Sequence, residues 1–171
     1  MRRIVVLDTG PLLTWACIRL LQELEVMIGN RSSILAEISP GLEWTALEQE
    51  RFSDFVSKAD QRLTTSHVVT EALHLRPHSW LYGKSQAFVS RFYEVLHETE
   101  ERCLLFKSIQ ASGFGELAKQ NGITDAAVVC LAFTEARGRQ DRVTLLTDDS
   151  RLFAALPSDP SFEICLTKHC I

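Results

Sequence analysis

The chain is expected to fold as an α/β protein, three layers (α/β/α) around a mainly parallel central sheet of about five strands, with a helical insertion between the first and second strands. Three observations predict this. Short apolar or β-branched runs alternate with stretches of helical period, the pattern of strand and crossover helix. Two of the runs, Ile4-Val5-Val6-Leu7 and Val143-Thr144-Leu145-Leu146, lead into acids: Asp8 ahead of Gly10-Pro11, and Asp148-Asp149 ahead of Ser150. They read as buried strands that deliver acids to their carboxyl ends. Residues 126–136 form an almost wholly apolar helical stretch, which must be buried on most sides.

The remaining elements follow in order. Residues 12–24 are helix-permissive and are broken by Gly29-Asn30-Arg31-Ser32-Ser33; residues 34–38 can carry a second helix before the Ser39-Pro40-Gly41 turn. Leu42, Ala46, Leu47, Phe52, Phe55 and Val56 recur near helical spacing, so residues 42–59 read as the inserted helix. Residues 62–66 make a β-branched strand, and Ser66 is placed to cap a helix over 67–75 that Pro77 ends. A helix over 85–98 puts Phe88, Val89, Phe92, Val95 and Leu96 on one side, and Cys103-Leu104-Leu105-Phe106 reads as the third strand. A polar helix then runs from Gly113-Phe114-Gly115 to Asn121-Gly122, Thr124 is placed to cap the apolar helix, and Gly138 closes it. The Val143 strand, a short helix over 150–156, a 157–160 loop and a strand over 162–166 complete the series. Right-handed crossovers would put all strand carboxyl ends on one edge.

At 171 residues and 46% hydrophobic content, the chain suits one globular domain, residues 1–171. Too few apolar residues precede Asp8 for a signal-peptide core, and no run is long enough to span a bilayer, so a cytoplasmic protein without membrane contact is expected. Cys17, Cys103, Cys130, Cys165 and Cys170 are odd in number and form no C-x-x-C pair, which favours reduced, mostly buried thiols over a disulfide framework or zinc knuckle. The net charge of −4 excludes a broad basic face, leaving nucleic-acid binding to local cations and metal ions. Arg137, Arg139 and Arg142 belong to the edge away from the acids, as helix C-terminal complementation. Arg76, Lys84 and Arg151 adjoin the acidic edge and are the candidates for phosphate contacts.

Four acids share that edge: Asp8 and Asp149 at strand ends, Glu71 and Asp125 near helix amino termini. Carboxylates that close repel one another, and oxygen-only donors without His or Cys suit a hard cation, Mg²⁺ or Mn²⁺, rather than zinc. One or two such ions, about 4 Å apart where paired, can lower the pKa of a bound water, orient it and stabilise charge on a phosphodiester. Metal-assisted phosphodiester hydrolysis is the reaction this set serves best. Each acid also has an ordinary explanation: a turn at Asp8, dipole complementation at Asp125, a helix cap at Asp149, a solvated helix residue at Glu71. Four such coincidences on one edge are less economical than one site.

Three segments carry a family resemblance: Val5-Val6-Leu7-Asp8-Thr9-Gly10-Pro11-Leu12-Leu13, Gly122-Ile123-Thr124-Asp125-Ala126-Ala127-Val128-Val129-Cys130-Leu131-Ala132, and Leu145-Leu146-Thr147-Asp148-Asp149-Ser150-Arg151-Leu152-Phe153. With the less specific Thr65-Ser66-His67-Val68-Val69-Thr70-Glu71, their order and spacing resemble PIN-domain ribonucleases, the fold shared by VapC-type toxins and several RNA-processing nucleases. The resemblance covers residues 4–156. It implies direct metal ligation by Asp8 and Asp125, with Glu71 completing the pocket and Asp149 acting directly or through water. The family's Thr-x-Asp pattern selects Asp149, with Asp148 the adjacent alternative, and Thr9 and Thr147 would add hydroxyls to the network. It further implies a single-stranded RNA substrate, divalent metal as the cofactor and, for a toxin, an antitoxin partner and a homodimer. The span between Asp8 and Glu71 departs from compact toxin members by the inserted helix, which leaves an RNA-processing role equally open.

Two alternatives come from other classes. A catalytically silent RNA- or protein-binding module would keep the fold and the acids without holding metal. A di-iron carboxylate protein would use the Glu-x-x-His pairs Glu71/His74 and Glu94/His97, which build such sites in four-helix bundles, although the strands before Asp8 and Asp149 have no place in a bundle.

Overall fold

The first strand, β1 (Arg3–Leu7), is central because nothing else suits it: Ile4, Val5, Val6 and Leu7 are all fully buried, with a hydrogen-bonded strand on either side. The computed structural model describes residues 1–24, 35, 44–74, 85–137, 141–156 and 162–167. Within them β1 is followed by α1 (Thr9–Glu23), α2 (Ala46–Ser57), β2 (Gln61–Thr65), α3 (Ser66–His74), α4 (Ser85–His97) and β3 (Glu100–Arg102). Then come α5 (Phe106–Ala111), α6 (Gly115–Asn121), α7 (Ile123–Ala136), β4 (Arg142–Thr147), α8 (Ser150–Ala155) and β5 (Glu163–Leu166). The five strands are all parallel, ordered β3-β2-β1-β4-β5, in the expected three-layer α/β/α arrangement.

The chain winds outward from β1 through β2 to β3, then returns to lay β4 on the other side of β1. Winding therefore reverses between β1 and β4, whose register pairs Leu7 with Leu146. α7 packs over β1, β2 and β4 through its buried run Ala126 to Ala132, and α5 and α6 pack against it. α1, buried along most of its length, gathers α2, α3 and α4. The inserted α2 starts on a capping box, in which the Glu48 N–H donates to Thr45 Oγ1 (3.2 Å) and the Thr45 N–H to Glu48 Oε2 (2.7 Å).

Several local expectations need correction. The third strand is Glu100–Arg102, ahead of the apolar run at 103–106. It is an edge strand paired only with β2, where charged residues can face water, while Leu104 is drawn away to pack beside Ile109, Ala126 and Ala127. Leu105 caps α5, a helix that was not expected. Ser66 is already helical, and it is Thr65 whose hydroxyl takes the Val68 N–H at 3.3 Å. Thr124 caps nothing: α7 begins at Ile123, and the turn from α6 is made at Gly122, whose φ of 111° favours glycine. Cys17 and Cys130 are buried and Cys103 is exposed, none of the three in a disulfide, whereas Cys165 is disulfide-bonded, so reduced thiols throughout is not what forms. The 34–38 helix apart from buried Leu35, the 39–41 turn, Arg76, Pro77, Lys84, Gly138, Arg139, the 157–160 loop and Cys170 lie outside the described residues. Among those described, no helix is long and apolar enough to cross a membrane.

Candidate active site

The site begins where β1 stops. The Asp8 N–H donates to the Leu146 carbonyl (3.1 Å), so β4 holds the backbone one residue beyond the strand, and the Asp8 carbonyl accepts the Leu12 N–H (3.0 Å) as α1 starts. The side chain, 6% exposed, is held at both oxygens. Oδ1 accepts the Thr9 N–H (2.7 Å), and Oδ2 accepts the Thr147 hydroxyl (2.7 Å) from the end of β4. Burial pushes its pKa up to about 6; the Thr147 and Thr9 bonds oppose the rise, and the charges of Glu71 and Asp148 add to it.

Glu71 and Asp125 arrive on helices. Glu71, in the second turn of α3, is exposed and accepts the Thr9 hydroxyl at Oε2 (3.1 Å). Asp125, in the first turn of α7, is half-buried, and its pKa is raised to about 7, first by burial and then by Asp8, Asp149 and Glu71. Asp149 follows β4 and caps α8, accepting the Arg151 N–H (2.7 Å) and the Leu152 N–H (3.3 Å) at Oδ1. Its own N–H donates to Thr147 Oγ1 (3.0 Å). The helix-cap explanation for Asp149 is therefore correct, and it does not remove the residue from the cluster, since its charge still acts on Asp125.

Both members of the Asp148-Asp149 doublet reach the cluster by different sides. Asp148 lies over Gly10, where an added Cβ would come within 3.0 Å of its Cγ, and it acts on Asp8. Gly10 therefore serves by close approach and not by a turn, since it is the second residue of helix α1 and has no positive φ. The threonines do more than supply extra hydroxyls: Thr147 donates to Asp8 and accepts from Asp149, tying two acids to one strand end. Thr64 donates to the Leu7 carbonyl (2.9 Å) and Thr167 to the Thr147 carbonyl (3.2 Å), fixing the same two strand ends. The signal for these two was a small hydroxyl residue at or just past the end of a strand, which periodicity does not weigh.

All four expected acids are thus brought together beyond the carboxyl ends of β1 and β4, at the point where winding reverses, the customary ligand crevice of an open α/β sheet. Among the described residues no Lys or Arg pairs with Asp8, Glu71, Asp125 or Asp149. Arg151 is exposed, in the first turn of α8. The di-iron pairs are not assembled: a parallel sheet replaces the bundle, the His74 Nδ1 is bonded to the Thr70 carbonyl (2.6 Å), and Glu94 is paired with Arg91.

A divalent cation fits this set in donor type and charge. All donors are oxygens, and every charge acting on Asp8 and Asp125 is negative, a situation that a dication reverses. The acids are gathered without being converged: among the described residues no three His, Cys, Asp or Glu side chains form a ready-made metal-holding group. No family model, no curated protein and no solved structure matches the chain.

Proposed function

We propose that this chain is a divalent-metal-dependent endoribonuclease that hydrolyses phosphodiester bonds of single-stranded RNA. The observation that carries it is the gathering of buried Asp8 and half-buried Asp125 at the winding reversal, where burial first and then the surrounding acids, Glu71 and Asp148 for Asp8 and Asp8, Asp149 and Glu71 for Asp125, raise the pKa of each. Stability is given up there by keeping like charges together, and that pattern marks sites built for chemistry. Mg²⁺ or Mn²⁺, held by Asp8 and Asp125 with Glu71 and Asp149 or Asp148 around them, would supply an activated water and charge neutralisation at the phosphate. The chain's own residues do the positioning. Thr147 and the Thr9 N–H lock both oxygens of Asp8, Thr9 steers Glu71, and Gly10 lets Asp148 approach.

The PIN-like motifs at Asp8, Asp125 and Asp149 support the RNA substrate, and the same resemblance supports a cytoplasmic toxin, with an antitoxin partner and a homodimer, or an RNA-processing enzyme. A silent binding module of the same fold is the second reading, favoured by the acids not converging on one point. One assay separates them. Purified protein is incubated with mixed single-stranded RNAs, with and without Mn²⁺, beside Asp8→Asn. Mn²⁺-dependent cleavage that drops to background in the variant supports the nuclease; cleavage that survives Asp8→Asn, or no cleavage by the wild type, overturns it.

A further inference from the structure

The chain has nine phenylalanines, and seven are buried or half-buried. The two exposed ones, Phe106 (47% exposed) and Phe153 (42%), both lie in segments that leave the sheet at its acidic edge. Phe153 is one turn beyond Asp149, its N–H donating to the Asp149 carbonyl (3.0 Å). Phe106 opens α5 just after Leu104, and Leu104 is anchored twice to the site's own elements. Its carbonyl is bonded to His67 Nε2 (3.0 Å) at the start of α3, and its side chain packs beside Ala126 and Ala127, the residues that follow Asp125. Leu105, 66% exposed, extends this flank.

What sets these two rings apart is their place, on segments that leave the sheet at the acidic edge. Phe106 follows β3 and Phe153 follows β4, strands three positions and roughly 14 Å apart in the sheet, and β1, which ends on Asp8, lies between those two strands. A protein partner favours one contiguous apolar patch; two aromatic faces separated by an acidic cup suit something that is itself periodic, aromatic and anionic in between. Charge points the same way. With a net charge of −4 and carboxylates at the centre, the cup itself repels phosphates before a cation binds, so contacts to bases would add affinity that the cup does not draw from the backbone.

We propose that Phe106 and Phe153 are stacking platforms for unpaired bases on either side of the acidic cup. The inference rests on the ribonuclease reading and deepens it, since it makes the ligand a single strand whose bases are splayed outward. Inside a duplex the faces of each base are covered by its neighbours, so continuous double-stranded RNA offers the platforms nothing to stack on.

The test uses the full chain carrying Asp8→Asn, so that cleavage does not intrude, and measures anisotropy of a short fluorescein-labelled oligoadenylate and of its abasic counterpart. Phe106→Ala and Phe153→Ala are each expected to weaken oligoadenylate binding roughly 5- to 100-fold, with Phe→Tyr at either position restoring it and the abasic strand binding all variants equally weakly. No measurable binding by the parent, equal binding of the abasic strand, or unchanged affinity in both alanine variants overturns the proposal. So does a shift in sedimentation of the alanine variants without a change in RNA affinity, which would assign the rings to a second copy of the chain. Failure of the nuclease reading is distinguishable: loss of oligoadenylate binding in the alanine variants alongside a wild type that cuts no RNA in Mn²⁺ keeps the platforms and removes the enzyme.

Discussion

The two ends of the same sheet are built on opposite electrostatic terms. At the amino end, opposite charges meet: the Arg2 guanidinium is paired with Asp141 (2.9 Å), the Arg3 N–H donates to Asp60 (2.7 Å), and Arg142 is paired with Glu163 (2.9 Å). Arg62 donates to the carbonyls of Val56, Ser57 and Ala59 at the end of α2, the usual use of a cation at a helix C-terminus. At the carboxyl end, acids face acids, and two of them have pKa values raised to about 6 and about 7. Among the described residues, charges are paired at one end and like charges are crowded at the other. That contrast is the ground for placing the proposed site at the second end.

The largest effect expected from this contrast is on stability against pH. Burial raises the folded-state pKa of Asp8 from 3.8 to about 6, so the folded chain binds more protons than the unfolded one between those values. Wild-type stability is then undiminished by this group below its unfolded pKa and falls as pH rises through the window, levelling off above about 6. Asp125 extends the loss to about 7. Asp8→Asn removes the Asp8 share. Its stability relative to wild type, from urea unfolding without divalent metal, is expected to improve by about 2 kcal/mol between pH 4 and pH 7.5. Saturating Mn²⁺ should raise the wild-type Tm and leave that of Asp8→Asn little changed. A difference that stays flat with pH would break the comparison at its acidic end.

A smaller effect is expected at Thr147, which sharpens the comparison by separating charge crowding from hydrogen-bond support. Thr147→Val keeps the shape of a buried β-branched residue but loses the donation to Asp8 Oδ2 and the acceptance from the Asp149 N–H. The expected cost is about 1 kcal/mol at neutral pH. Because the Thr147 bond opposes the rise in the Asp8 pKa, the Asp8 titration followed by carboxyl NMR should move above about 6 in Thr147→Val and return in Thr147→Ser. An unmoved titration would mean that the hydroxyl does not hold the carboxylate.

How much of this was legible in the sequence depends on what kind of contact each residue makes. Ile4 to Leu7 and Val143 to Leu146 announce buried strands because composition alone decides burial on both faces, and acids that end such strands must share an edge. Glu100-Glu101-Arg102 does not announce itself, since an edge strand pairs on one side only and tolerates charge; the apolar run after it was the misleading signal. The four acids were legible as a set. Their support was less so: the position of Asp148 over Gly10, the double role of Thr147 and the clamping by Thr64 and Thr167 are distances between segments far apart in the chain, which no local pattern encodes.

The smallest effect belongs to the amino end, and its smallness is the point. Arg142 and Glu163 are 61% and 49% exposed, so their ion pair is screened by water and salt, and Arg142→Gln should change stability by no more than about 0.5 kcal/mol. The same substitution tests whether the two ends are electrostatically separate. β4 runs six residues from Arg142 to Thr147, a rise of about 17 Å from the first to the last. That exceeds the Debye length of about 8 Å at physiological ionic strength. Removing a positive charge at Arg142 should therefore leave the Asp8 and Asp125 titrations where they are, whereas removing a negative one at Asp149 should lower that of Asp125. If Arg142→Gln shifts the acids at physiological salt, the carboxyl end is not autonomous, and the raised pKa values belong to the field of the whole protein rather than to a site.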